Sequence, residues 1–317
     1  MAVGYFLSCE EHRPAELVEQ ARMAQQAGFE KLWISDHFHP WVDAQGESPF
    51  VWTVIGAIAS VCSLPIGTAV TCPTVRLHPA VVAHAAATTA ALTDGRFTLG
   101  VGSGEALNEH VLGGPWPSLG ERLEWLDEAI ELIRELWTGR LVNHRGRHYT
   151  VVNARLYTLP EQPPPVYVSA FGRHAARFAG QRGDGLITML PDRSIVEEYR
   201  SSGGAGKPTQ IGYKVCHGPD EAAARRLAHR LWASEQVPGE LAQTLPQPRH
   251  FEQASALVTE EMVADSVPCG PDVDRHVGRL REYLDLGYDD VYVNQIGPDQ
   301  EAFFACYADD VLPKVRG

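Results

Sequence analysis

The chain reads as a (β/α)8 barrel, an α/β fold in one domain over residues 1–317, and three features of the sequence predict it. Short apolar runs alternate with amphipathic stretches from one end to the other. Several of these runs end in polar or glycine-containing residues, as strands do at the catalytic rim of a barrel. No linker divides the 317 residues, an ordinary length for eight such units. A doubly wound open sheet is the alternative. Gly100-x-Gly102-x-Gly104 resembles a dinucleotide fingerprint, but its spacing is not Gly-x-Gly-x-x-Gly.

The elements follow in order. Residues 3–7 read as the first strand and 14–27 as its helix, with Leu17, Ala21 and Ala24 on one face and Gly28 as the stop. Residues 31–35 form the second strand and 51–61 a helix; 66–71 and 79–92 are the third pair. Residues 97–101 are the fourth strand. The helix after it opens on a capping box, Ser118-Leu-Gly-Glu121, carries Leu123, Leu126, Ile130, Ile133 and Trp137 on one face, and ends at Gly139. An insertion near 141–164, hairpin-like over 141–151, precedes the fifth strand (165–169) and its helix (172–182). Residues 185–188 and 210–216 are strands six and seven, with a helix over 220–233. A second insertion, 234–270, reads as irregular cover for the rim. Val273, Val277, Leu280 and Leu284 mark a helix stopped by Gly287; residues 290–294 are the eighth strand and 299–311 the closing helix.

Composition excludes several function classes. A formal charge of −13 argues against nucleic acid, whose phosphates need a basic surface. An anionic ligand must therefore be held by a local cluster of cations against the average field. The six cysteines are scattered without a Cys-x-x-Cys, so neither a disulfide framework nor a metal site is expected. No basic leader precedes an apolar run, and none reaches the roughly 18 residues of a membrane span, so a cytoplasmic protein is expected.

Two strand ends carry the chemistry. Ser35-Asp-His-Phe-His-Pro-Trp41 brings an acid, two imidazoles and a large flat ring into one loop. Imidazole accepts protons near neutral pH, and a carboxylate can hold its neighbours. Gly100-Val-Gly-Ser-Gly-Glu-Ala-Leu-Asn-Glu109 is the second. Each residue also has a plain reading: His37 and His39 as loop caps, Trp41 as core, Glu105 as a first-turn acid favoured by the helix dipole, and the arginines over 173–182 as a solvated helix face.

With Gly67-Thr-Ala-Val70, Pro165-Val-Tyr-Val-Ser-Ala-Phe-Gly172, Gly183-Asp-Gly185 and Val291-Tyr-Val-Asn-Gln295, these motifs resemble the bacterial luciferase-like superfamily over nearly the whole chain. Within it they most resemble the coenzyme F420-dependent glucose-6-phosphate dehydrogenase branch. The resemblance implies a luciferase-like barrel, a homodimer, a small-molecule substrate and F420 as cofactor, with FMN as the alternative. An oxygen-activating FMN monooxygenase and a non-catalytic F420-binding barrel are the rival functions. It implies His37 as the base for the substrate hydroxyl, Trp41 as the flanking ring, and Glu105 as the group exchanging a proton with the deazaflavin. Asp36, Ser103, Gly104 and Asn108 are implied as ring contacts, with Cys72 near the cofactor where relatives carry threonine. Ala69-Val70 falls where the family places a usually cis peptide behind the ring. Phe171, Gly172, His174 and Ala175 match the phosphate region, where Arg173 and Arg177 add charge and a helix start offers free N–H groups.

The departures concern substrate. Met189, Asp192 and Gln253 stand where the sugar-phosphate enzymes place threonine and lysines. A carboxylate in place of a cation in a poorly solvated pocket costs several kcal/mol against a phosphate. Glucose 6-phosphate is therefore not expected as substrate.

Overall fold

A computed structural model describes residues 1–316. Eight parallel strands close into a barrel: β1 (Ala2–Leu7), β2 (Lys31–Ile34), β3 (Ile66–Thr68), β4 (Phe97–Val101), β7 (Val166–Ser169), β8 (Gly185–Thr188), β9 (Thr209–Val215) and β10 (Asp290–Gln295), neighbours in that order, with β10 closing on β1. β5 (Val142–Arg145) and β6 (Thr150–Ala154) make the antiparallel hairpin expected in the first insertion. The barrel is the one expected, with helices between its strands.

Aromatic rings fill its interior. Trp33 on β2 stacks on Tyr292 on β10, with ring centres 4.0 Å apart and planes within 7°. Phe6 on β1 meets Trp33 edge-on. Gln210 accepts from the Trp33 indole at 3.0 Å and donates to the Tyr292 hydroxyl at 3.1 Å, so the polar tips of both rings are satisfied. Such rings need glycine opposite them: a Cβ at Gly4 would enter the Tyr292 ring, and one at Gly212 would lie 2.8 Å from Trp33 and 2.6 Å from the Met189 sulfur. The upper members of this cluster, Ala69, Val70 and Met189, are only partly buried. The interior therefore opens above a solid aromatic floor.

Three local differences from the sequence reading have physical causes. β3 stops at Thr68 instead of running to residue 71; the Ala69–Val70 peptide is cis, and Thr71 resumes a single bridge to Val101. The insertion 234–270 is not irregular but largely short helices, Leu241–Thr244, Pro248–Ala254 and Glu260–Ser266. They are made locally, by Pro248 at a helix start and the Thr259 side chain accepting from Met262 N, and pinned by Phe251 and Val263. Of the capping box at Ser118 the structure forms the hydroxyl half, which accepts from Glu121 N. The reciprocal carboxylate bond occurs instead at the first helix, Pro14–Gln26, where Glu16 accepts from Arg13 N at 2.9 Å. No helix among the described residues is long and apolar enough to cross a membrane.

The tightest backbone approach sets a test. A Cβ at Gly100 would collide with the Thr68 carbonyl, whose residue already bonds Gly100 through its hydroxyl. Gly100→Ala should destabilise by about 3 kcal/mol, the upper end of overpacking costs. Gly56, inside the helix Val51–Ile58 with open space around it, should gain up to about 1 kcal/mol as alanine. Urea denaturation of both variants checks the contrast.

Candidate active site

The loop after β2 is folded around Asn108. Its Oδ1 accepts from Phe38 N at 2.9 Å and from His39 N at 3.2 Å, which fixes the amide orientation and turns Nδ2 to His37 Nδ1 at 3.1 Å. His37 Nδ1 also lies 3.2 Å from the His39 carbonyl. On the other side of the ring, Nε2 stands 3.6 Å from the Glu10 carboxylate. Trp41 flanks the imidazole, with ring centres 4.9 Å apart, and rests edge-on against Phe251 of the second insertion.

Glu10 was not picked out by sequence. It lies just past β1, buried, and accepts from Ser35 Oγ at 2.7 Å and Ser8 Oγ at 2.9 Å. Burial pushes this carboxyl up, but His37 and the hydroxyls outweigh it and hold Glu10 below its ordinary value. An ionised carboxylate beside His37 is placed to neutralise a proton the ring takes up. Its neighbour Glu11 faces away, accepting from Trp232 Nε1 at 2.7 Å and Gly297 N at 2.8 Å; burial raises it to about 7.

A second buried cluster sits on the far side of the loop. Arg76 donates to Asp36 at 2.8 Å and lies 3.8 Å from Glu109. Asp36 also accepts from Thr71 Oγ1 at 2.7 Å, and Glu109 from Arg76 N at 2.6 Å. Burial raises Glu109 to about 7 despite those donors. Asp36 and Asn108, implied as ring contacts, are thus already engaged inside the protein, supporting the loops that frame the mouth. Glu105 is half-buried just before the short helix Ala106–Glu109, and Cys72 is buried nearby, where burial and then Glu105 push its thiol up. Gly104 needs its glycine: its φ is +85°, and a Cβ would meet Glu109 at 2.9 Å. Ser103 is half-buried beside it.

The phosphate region is open but less basic than the sequence implies. Phe171, Gly172 and His174 are exposed, Ala175 half-buried, and nothing lies within 4 Å of a Cβ at Gly172. Arg173 and Arg177, however, both pair with Glu198 at 2.9 Å. The three expected substrate residues have different surroundings. Met189 packs in the barrel cluster, Asp192 is an exposed helix cap accepting from Ser194 N at 2.8 Å, and Gln253 is exposed on the helix Pro248–Ala254. The premise that Asp192 is poorly solvated is therefore corrected. The cation at the mouth is Lys214 on β9, also missed: its ammonium sits 3.9 Å over the Trp232 ring and 5.7 Å from Phe6, and it is paired with Glu235.

This constellation on a parallel barrel has known counterparts. Residues 1–290 match the family model described as luciferase-like monooxygenase, and the chain belongs to that family. The F420-dependent glucose-6-phosphate dehydrogenases of Amycolatopsis mediterranei and Segniliparus rotundus are each 37% identical to it, the first over 100% of this chain and 99% of its own length, the second over 99% and 98%. A solved F420-dependent secondary alcohol dehydrogenase, in complex with an F420–acetone adduct, is 30% identical with a TM-score of 0.90 over 100% of this chain and 99% of its own. The coenzyme F420-dependent tetrahydromethanopterin reductase of Methanopyrus kandleri, 21% identical over 99% of both chains with a TM-score of 0.77, shares the fold.

Asn108→Ala should strip the acceptor from two backbone N–H groups and cost about 2 kcal/mol of stability. Urea midpoints measure the loss.

Proposed function

We propose that the chain oxidises small unphosphorylated alcohols, or reduces the matching carbonyls, by hydride transfer to or from coenzyme F420, and that glucose 6-phosphate is not its substrate. It is an F420-dependent oxidoreductase, as are by name its relatives over the full length of the chain. The observation that carries the reading is His37, held at Nδ1 by the loop and accompanied at Nε2 by the buried Glu10 carboxylate.

The residues fit the cofactor. The mouth beside Ala69 and Val70 is lined by glycine, and a Cβ at Gly102 would close to 2.8 Å of Val70. A side chain at Gly102 would therefore displace Val70, the residue that the resemblance places behind the cofactor ring. The open backbone at Gly172, at the start of the helix Arg173–Arg182, suits a phosphate. When bound, F420 supplies the two-electron chemistry. His37 takes the hydroxyl proton, Glu10 balances the charge, and Trp41 walls the substrate.

Charge supports the substrate class. Lys214 is already neutralised by Glu235, with Glu11 beside it. No substrate phosphate is needed to satisfy it, and displacing its carboxylate would leave that anion unpaired. Asp192 plays no part. The homodimer and the cytoplasmic setting expected from the sequence belong to the same proposal.

Fluorescence titration tests the cofactor: F420 should bind at least tenfold more tightly than FMN, about 1.4 kcal/mol. Equal affinity would sink it. His37→Ala should keep F420 binding and lose turnover by roughly 10² to 10⁴, and Glu105→Gln should lower turnover in a folded protein. In steady-state assays against a panel of secondary alcohols, glucose 6-phosphate should give no measurable F420 reduction. Efficient turnover of the ester, at a KM in the micromolar range, overturns the substrate claim.

A further inference from the structure

Among the described residues, one fully buried cation lacks a carboxylate partner. Arg122, at the start of the helix Leu119–Leu136, is 3% exposed. Its Nη atoms donate to neutral acceptors, the Pro117 carbonyl at 2.8 Å and Gln243 Oε1 at 2.6 Å. Its Nε finds no acceptor among the described residues. The guanidinium lies over the Trp116 ring, 4.4 Å from its centre, and the indole Nε1 is likewise buried without an acceptor. Trp116 in turn lies 3.3 Å from where a Cβ of Gly104 would be, so this pair backs the glycine turn that leads to Glu105.

The comparison with Arg76 is informative. Burial lowers both arginines, but Asp36 and Glu109 reverse the effect at Arg76 and raise it. Arg122 stays lowered by burial; the carboxylates acting on it are Glu105 first and then Glu240, neither in an ion pair with it. An unpaired buried charge costs several kcal/mol, and folded proteins keep one where a ligand or reaction supplies the opposite charge. Trp116, packed against Gly104 just before Glu105, places this one on the Glu105 side of the mouth.

We propose that Arg122, backed by Trp116, supplies the positive field that stabilises the negative charge F420 acquires on reduction, so that the protein binds reduced F420 in preference to oxidised. In the proposed reaction the alcohol C–H hydrogen leaves with its bonding pair as hydride to the cofactor, and the O–H proton goes to His37. The carbon is oxidised to a carbonyl; the cofactor takes two electrons and gains one negative charge. A fixed guanidinium needs no reorganisation at that moment. Arg122 is a positioning residue that acts through its field, and the inference rests on F420 being the cofactor.

Calorimetric titration with oxidised and with borohydride-reduced F420 at pH 8 tests it without turnover. Wild type should bind the reduced form more tightly. Arg122→Met should lose that preference by tenfold or more while affinity for oxidised F420 stays within threefold, and Arg122→Lys should keep most of it. Gln243→Ala cuts the tie to the insertion without removing charge and should leave the preference intact. Equal weakening of both forms in Arg122→Met, an unchanged preference, or a loss matched by Gln243→Ala overturns the inference. Should Arg122→Met fail to fold, Arg122→Lys against Gln243→Ala decides by the same criterion: a preference lost equally in both overturns it. If wild type binds neither form, the cofactor assignment itself falls, and this inference with it.

Discussion

The stack of Trp33 on Tyr292 is the contact on which the site depends. Two rings of this size fill the barrel only because Gly4 and Gly212 leave out a side chain where each ring lies. The rings and glycines form one interlocked layer in which no member can change size alone. Above it, small or partly buried residues leave the mouth open; below it, Lys31 pairs with Asp290. A firm floor under an open mouth is what lets short loops present side chains at fixed positions.

Two buried electrostatic clusters then divide the mouth. Glu10, His37 and Asn108 form one, with Trp41 over them. Asp36, Arg76 and Glu109 form the other, and Arg122 stands on the Glu105 side without a carboxylate partner. Arg76 is paired with two carboxylates and is a strut, although its Nε has no hydrogen-bond partner; Arg122 has neutral partners only. Lys214, tied to Glu235, resembles Arg76 in this respect.

The barrel was legible because its signal is periodic and repeated. Eight apolar runs ending in polar residues survive small errors at each boundary. His37, Trp41 and Glu105 stood out because they are concentrated in two strand-end loops, and the structure sets His37 beside Trp41. Glu10 was not picked out, although it also follows a strand; a lone Glu-Glu pair looks like solvated surface until Ser8 and Ser35 are seen to bond it. Asp192 and Gln253 are exposed, one as a helix cap and the other on a short helix; solvation of this kind depends on the path of the chain around them and has no local sequence signal. The short helices of 234–270 had no period to read, since none holds more than two buried anchors and Leu241–Thr244 holds none.

The interlocked floor also has an evolutionary side. A substitution at Gly4 or Gly212 is incompatible with the rings present, and shrinking a ring first leaves a void, so either path runs through a weakened intermediate. Such positions are epistatic and change only in concert. The helices of 234–270, pinned at few points and otherwise exposed, carry no such coupling. Lineages built on this floor are free to diversify their substrates by rewriting the rim while the barrel beneath stays frozen.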